Sequence, residues 1–304
     1  MPDAIRLTGV TKTFGDKVAV KDLDMAVPQG GIVGFIGPNG AGKTTTIRMI
    51  MSILFQDRGE INVLGCNSAL EAKDRIGYLP EERGVYKKMK VGAFLRYVAR
   101  LKGHSGPGVT TKVRQWLERV QLPEVENKKC EELSKGMQQK IQFIASVFHD
   151  PELVILDEPF SGLDPVSMRL LRDLVQDQHK RGATVIFSTH VMIQAEQLCD
   201  HILMIHDGRK VLDDSLSSIR AKHDPRIVEV EPLDPDADLS VVQALSGVES
   251  LTRSERGHEV LLAAGADPAG ALREIAGVLP VMRVELRRPT LEDIFVQIAG
   301  GAAA

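Results

Sequence analysis

Short apolar runs bounded by Gly, Asp or Pro recur through the first two thirds of the chain: Ile32 to Ile36, Leu153 to Leu156, Val185 to Phe187 and Ile202 to Ile205. Runs of this kind suit strands buried on both faces of a mostly parallel sheet. Between them the spacing turns helical. Phe94, Tyr97, Val98 and Leu101 fall at i, i+3, i+4 and i+7, as do Val113, Trp116, Leu117 and Val120, and again Ile141, Ile144, Ala145 and Phe148. The pattern predicts a helical insertion between strands over about residues 85–150.

The texture changes after residue 222. Asp224 Pro225, then Pro232, Asp234, Pro235 and Asp236, punctuate the chain and place a domain boundary there. Beyond it the pattern predicts strand (Ile227 to Val230), helix (Leu239 to Leu245) and two strands (Glu249 to Thr252, Glu259 to Leu262). A helix (Ala269 to Val278), a strand (Met282 to Leu286) and a last helix begun by Pro289 Thr290 complete the tail. The βαββαβ order describes a small α+β module of ferredoxin-like type over residues 223–304.

At 304 residues and 43% hydrophobic content, the chain can bury a substantial core. A net charge of -3 gives no global attraction to nucleic acid, and no local basic patch stands out, so no such partner is expected. Cys66, Cys130 and Cys199 are widely spaced and lack a C-x-x-C pair, which argues against a disulfide framework or a zinc site and for reduced thiols. The start of the chain carries Asp3 and Arg6 in a strand-like segment rather than an apolar leader, and no stretch approaches the ~18 to 20 apolar residues of a membrane helix. A role at a membrane would therefore need another polypeptide to span it.

Gly37 Pro38 Asn39 Gly40 Ala41 Gly42 Lys43 Thr44 fits G-x-x-x-x-G-K-[ST] between an apolar strand and the helix-like Thr45 to Ile53. Backbone N–H groups of such a loop curl around phosphate oxygens. Lys43 reaches the outer phosphates, and the Thr44 hydroxyl can ligate Mg²⁺. Leu153 to Glu158 then delivers two carboxylates at the end of a buried strand, where ligands bind in open α/β sheets. Asp157 suits the Mg²⁺ shell, and Glu158, one residue on, suits orienting or deprotonating an attacking water. A phosphate loop by itself fits a kinase, a GTPase or an ATPase. The guanine-reading N-K-x-D is absent, since Asn127 Lys128 Lys129 Cys130 lacks the final carboxylate.

On these residues and several more, the chain resembles the ATP-binding-cassette (ABC) ATPase family. Leu133 Ser134 Lys135 Gly136 Met137 Gln138 Gln139 Lys140 looks like the family signature, Ser161 Gly162 Leu163 Asp164 like its D-loop, and His190 like its switch histidine. Phe14 stands where the family places an aromatic ring against adenine. The resemblance spans residues about 4 to 213 and implies an α/β P-loop nucleotide-binding domain over residues 1–222. It also implies ATP and Mg²⁺ as cofactors, with nucleotide contacts from Gly37 to Thr45. Two chains would pair head to tail, Ser134 and the backbone near Gly136 of one binding the γ-phosphate held by the other, with Asp164 of the D-loop also counted among the nucleotide-binding residues. Glu81, in Ile76 Gly77 Tyr78 Leu79 Pro80 Glu81, stands where the family has Gln and would face Mg²⁺; Lys135 and Met137 depart from the usual L-S-G-G-Q. Met137 cannot donate the hydrogen bond that an amide could.

Glu81 at that position, the Gly84 Val85 Tyr86 continuation, and the ending Arg288 Pro289 Thr290 Leu291 Glu292 Asp293 Ile294 Phe295 are similar to the bacterial branch that energises drug, antibiotic and sodium exporters. This implies a peripheral homodimer on the cytoplasmic face of the cell membrane, bound to a separate integral permease. The alternative is an ABC ATPase of translation or DNA repair. Such relatives carry two cassettes or a long coiled coil, whereas this chain shows one phosphate loop and no sustained heptads.

Overall fold

The computed structural model describes residues 2–82, 84–222, 226–254, 257–287 and 289–301; Arg83, the Asp224 Pro225 break and Arg288 lie outside the described residues. The chain forms two compact units that divide between Leu216 and Ser217.

Along the first unit come β1 (Asp3–Phe14), β2 (Lys17–Pro28), β3 (Ile32–Ile36), α1 (Lys43–Ile50), β4 (Arg58–Val63) and β5 (Ile76–Leu79). Three helices follow, α2 (Val91–Leu101), α3 (Gly108–Arg119) and α4 (Lys135–Val147). The unit continues through β6 (Leu153–Asp157), α5 (Pro165–Lys180), β7 (Thr184–Thr189), α6 (Met192–Leu198), β8 (His201–His206) and β9 (Arg209–Ser215). Strands β5, β6, β7, β3 and β8 lie side by side in parallel, and β9 closes the edge antiparallel. Every residue of β3, β6 and β7 is buried, as continuous apolar runs require when both sheet faces are covered. The carboxyl ends of these three strands lead into the phosphate loop, Asp157 Glu158 and His190, so the topology gathers the chemical motifs on one sheet edge.

A second sheet, β2, β1 and β4, is antiparallel. In β2 the buried Leu23, Met25 and Val27 alternate with exposed Asp24 and Ala26, the signature of a strand with one covered face. One apolar cluster includes Leu7 and Met25 of this sheet, Ile47 and Ile50 of α1, and Phe35 and Ile155 of the parallel sheet, so α1 is buried against both sheets. Burying each of Ile47 and Ile50 stabilises the unit by about 1.5–3 kcal/mol.

Helix α2 is present as its spacing predicts, but its buried face is Val91, Phe94, Leu95 and Ala99, while Tyr97 and Leu101 are exposed. Helix α4 packs on β5 at Gly77, where a Cβ would lie 2.1 Å from the Ser146 carbonyl oxygen. Only a residue without a side chain permits that approach.

From the unit boundary the chain forms α7 (Leu216–Lys222), β10 (Ile227–Pro232), α8 (Ser240–Gln243), β11 (Val248–Ser254) and β12 (Gly257–Leu262). It ends with α9 (Pro268–Val278), β13 (Val281–Arg287) and α10 (Leu291–Gly301). The sheet runs β11, β12, β10, β13, all antiparallel. Val228, Val230, Val260 and Leu262 pack against Val242 of α8 and Ala271 and Ile275 of α9. Helix α8 is shorter than the expected Leu239 to Leu245. Asp267 caps α9 ahead of Pro268, and Thr290 and Asp293 exchange side-chain-to-backbone bonds at the start of α10.

Candidate functional site

Helix α1 starts at a residue that cannot cap it. Gly42 has φ 107° and no side-chain bond to the helix, and a Cβ there would lie 2.6 Å from the Ala19 carbonyl oxygen. The first-turn N–H groups of α1 therefore remain available to an anion. Lys43 is only 6% exposed; its Nζ donates to the carbonyls of Gly37 at 2.7 Å and Pro38 at 3.1 Å, 3.9 Å from Glu158 Oε1. Burial lowers its pKa, against the pull of Glu158, Asp157 and Glu81. A cation costly to desolvate is thus held at the loop by backbone dipoles, where a phosphate would complete its coordination.

Three oxygens converge beside it. Thr44 Oγ1 lies 3.4 Å from Asp157 Oδ1 and 3.5 Å from Glu81 Oε2. Asp157 is fully buried, its Oδ1 accepts from the Ser188 hydroxyl, and its Oδ2 has no partner. Burial raises its pKa, while the bonds from Ser188 and Thr44 oppose the rise. A buried carboxylate with an orphaned oxygen, next to a hydroxyl and a second carboxylate, fits a hard divalent cation. Among the described residues no group of three or more His, Cys, Asp and Glu side chains forms a metal cage. A hydroxyl and two carboxylates would be enough for Mg²⁺, which keeps water and phosphate oxygens as its other ligands.

Glu158 follows at the strand end with φ 48°, a left-handed conformation uncommon outside glycine. Its N–H donates to both the carbonyl and the hydroxyl of Ser188, each at 3.2 Å, fixing the turn. The backbone leaves the strand sharply and turns the side chain toward Lys43 and His190. His190 Nδ1 lies 2.9 Å from Glu158 Oε1; against a carboxylate oxygen, which only accepts, Nδ1 is the donor.

A cavity of about 410 Å³ extends from Phe14 and Lys17 across Gly40 and Thr45 to Glu81 and Glu158. Phe14 is half exposed at the end of the β1–β2 hairpin; Lys12 Nζ sits 5.5 Å from its ring centroid and is fixed by Asp57 at 2.7 Å. Asn39, Gly40, Gly42, Lys43 and Thr44 line the same cavity. Gly37 and Pro38 act through their carbonyls, and Ala41 accepts from Gly208 N–H. Ser134, Gly136 and Asp164 are not on its wall. Ser134 caps α4 by accepting from Met137 N–H at 3.3 Å, and Asp164 caps α5 by accepting from Val166 and Ser167. Lys17 and Ala19 line the cavity without belonging to any motif. Ser188, two residues before His190, braces the Asp157 carboxylate and the Glu158 backbone. Their signal in the sequence is position alone, three and five residues past Phe14 and two before His190.

The model of the ABC transporter family matches residues 20–161, and that of the ATP-binding protein DrrA1-3-like C-terminal domain matches residues 215–299. An uncharacterized ABC transporter ATP-binding protein of Bacillus subtilis, YhaQ, is 41% identical over 96% of this chain and 97% of its own length. The Nod factor export ATP-binding protein I of Rhizobium sp. strain N33 is 32% identical over 98% of this chain and 97% of its own. A solved structure of an ATP binding subunit of an ABC transporter superimposes with a TM-score of 0.67 at 29% identity, covering 72% of this chain and 92% of that one. With phosphate loop, paired carboxylates and histidine assembled at one sheet edge and relatives matching nearly end to end, the chain belongs to the ATP-binding subunits of ABC transporters.

Proposed function

We propose that this chain hydrolyses Mg-ATP as a homodimer bound to a separate integral membrane permease at the cytoplasmic face, and that each cycle drives export. The observation that carries the hydrolytic reading is Glu158 Oε1 held between His190 Nδ1 at 2.9 Å and Lys43 Nζ at 3.9 Å. Lys43 and the free N–H groups of α1 would bind the outer phosphates, and Phe14 would stack on the base. Thr44, Asp157 and Glu81 would hold Mg²⁺, which supplies charge neutralisation on the phosphate oxygens. Glu158 takes the proton of the attacking water, and the His190 N–H keeps its carboxylate in place. Ser134 and the backbone near Gly136 of a second copy would close on the γ-phosphate until it is cleaved to inorganic phosphate.

Support for a permease is of three kinds. Among the described residues no helix is long and apolar enough to cross a membrane. A similar protein is named for Nod factor export. A second cavity of about 280 Å³ lies beside the Glu81 loop, lined by Tyr78, Pro80, Val98, Gln142 and His149, with Tyr97 and Leu101 exposed nearby on α2. Gln142 Oε1 and His149 Nδ1 are buried there without partners, two acceptors for a donor on an incoming segment.

The deciding measurement is ATP turnover of Glu158→Gln. Retained ATP-dependent dimerisation with turnover reduced at least ~100-fold is expected from loss of a general base. Near-normal turnover removes Glu158 from that role.

A further inference from the structure

We infer that Asp57 is a positioning residue for the nucleotide base: through Lys12 and the Thr13 backbone it sets where the Phe14 ring stands relative to the phosphate loop. This rests on the stacking of Phe14 on the base and adds the residue that places the ring.

Phe14 needs something to place it. The ring is half exposed, and its strand is irregular, since the β1–β2 ladder shifts register between Leu7 and Val10, between Val10 and Lys12, and between Lys12 and Thr13. On the other side of β1 the ladder with β4 ends at Thr11 opposite Arg58, so among the described residues Lys12, Thr13 and Phe14 have no strand partner there. Backbone groups at such an interrupted strand end are left to side chains or to water.

Asp57, immediately before β4, supplies the partners. Its N–H donates to the Thr11 carbonyl at 2.9 Å, its Oδ1 accepts from Lys12 Nζ at 2.7 Å, and its Oδ2 accepts from the Thr13 N–H at 2.7 Å. One residue thus grips each of the three that precede Phe14. The bond from Lys12, and after it the bond from Thr13, hold the Asp57 carboxyl below its usual range, so it is ionised at neutral pH. The ammonium that Asp57 fixes stands 5.5 Å from the Phe14 ring centroid, within reach of the attraction between a cation and an aromatic face. The carboxylate therefore holds the backbone on which the ring is mounted and, through Lys12, the ring itself.

The other end of this clasp is anchored on the phosphate helix. The N–H groups of Ile53 and Leu54 donate to the Arg48 carbonyl in the last turn of α1, at 2.9 and 3.1 Å, and Leu54 packs against the apolar cluster shared by both sheets. Asp57 follows in the same connection. A bonded path thus runs from Lys43 and Thr44 at the start of α1 to Phe14, and all three line one cavity. A ring held in its bound place before the ligand arrives spares the ordering cost of fixing it on binding.

The test titrates the full chain with Mg-ADP, which keeps the base and needs no turnover. Phe14→Ala is expected to raise the dissociation constant about tenfold through loss of stacking. Asp57→Ala should raise it about fivefold and Asp57→Asn about threefold, since the amide keeps one accepting oxygen for Thr13 but has no charge for Lys12. In a Phe14→Ala background Asp57→Ala should add less than about twofold, because the clasp then has no ring to place. Equal losses in the two backgrounds make Asp57 a structural residue and overturn the inference. So does an Asp57→Ala chain that binds like the parent while Phe14→Ala binds weakly, an outcome that leaves the stacking in place. Parent-like binding by Phe14→Ala removes the stacking, and the clasp with it.

Discussion

In the first unit Lys43 and Asp157 are buried with fewer partners than their charges need, whereas in the second Arg287 meets Glu229, Glu259 and Asp293, and Arg283 meets Glu229, Glu231 and Glu285, on a half-exposed sheet face. The two regions contain the same residue types. In the first, burial moves the pKa values of Lys43 and Asp157 toward neutrality, and the deficit of partners is what a charged ligand would relieve. In the second, the charges pair across neighbouring strands, although the Nε atoms of Arg283 and Arg287 have no hydrogen-bond partner. Deep burial of charge marks the region that binds, and half-exposed mutual ion pairing the region that is scaffold.

The sharpest way to break this contrast is Lys43→Met. It should lower ATP affinity roughly a thousandfold and abolish the rise in melting temperature that ATP gives the parent chain, read by calorimetry. Retained stabilisation by ATP would show that the buried cation is structural.

His149 tests the first unit at a second buried group. Burial, then the Lys102 charge, lowers its pKa from 6.5 to about 4. The unfolded chain thus binds a proton that the folded chain refuses, so the contribution is full above pH 6.5 and is lost as pH falls toward 4. It amounts to about 3 kcal/mol. His149→Gln, which keeps a donor for the Ile76 carbonyl, should flatten the acid branch of a urea-unfolding series across that window. An unchanged pH profile removes His149 as its source.

The effect in the second unit is smaller. Arg287→Ala should cost about 1–2 kcal/mol, because its partners keep some solvent. Hydrogen exchange should quicken in β10, β12 and β13 while β3, β6 and β7 stay protected. Smallest of all, Met137→Gln supplies the missing amide and should change ATP turnover by less than about tenfold, since Ser134 caps α4 through the Met137 backbone whichever side chain stands there.

The strands that carry the chemistry were legible because continuous apolar runs and motif residues coincide in them, as at Ile32 to Gly37 and Leu153 to Glu158. The βαββαβ order of the tail was legible from its turns, and the structure adds the strand order that places β10 centrally. The sheet that presents Phe14 was not. Register shifts along β1 and a positive φ at Asp22 interrupt its period of two, so the alternation Leu23, Met25, Val27 is short. Lys17 and Ala19 reach the cavity only because that hairpin folds over the phosphate loop. The buried stripe of α2 was misplaced by the apolar Tyr97 and Leu101, which the chain leaves in water. Ser134 and Asp164 each cap a helix of their own chain, which one sequence does not separate from an approach to another copy's nucleotide.

Gly77 gives the first unit a mechanical property. With the Ser146 backbone seated where a side chain would stand, α4 and β5 touch without compliant atoms between them. Helix α4 begins beside Ser134, and β5 runs out toward Glu81. At this contact no side chain can yield to absorb a tilt of that helix, so Gly77→Ala would have to move the helix or the strand instead.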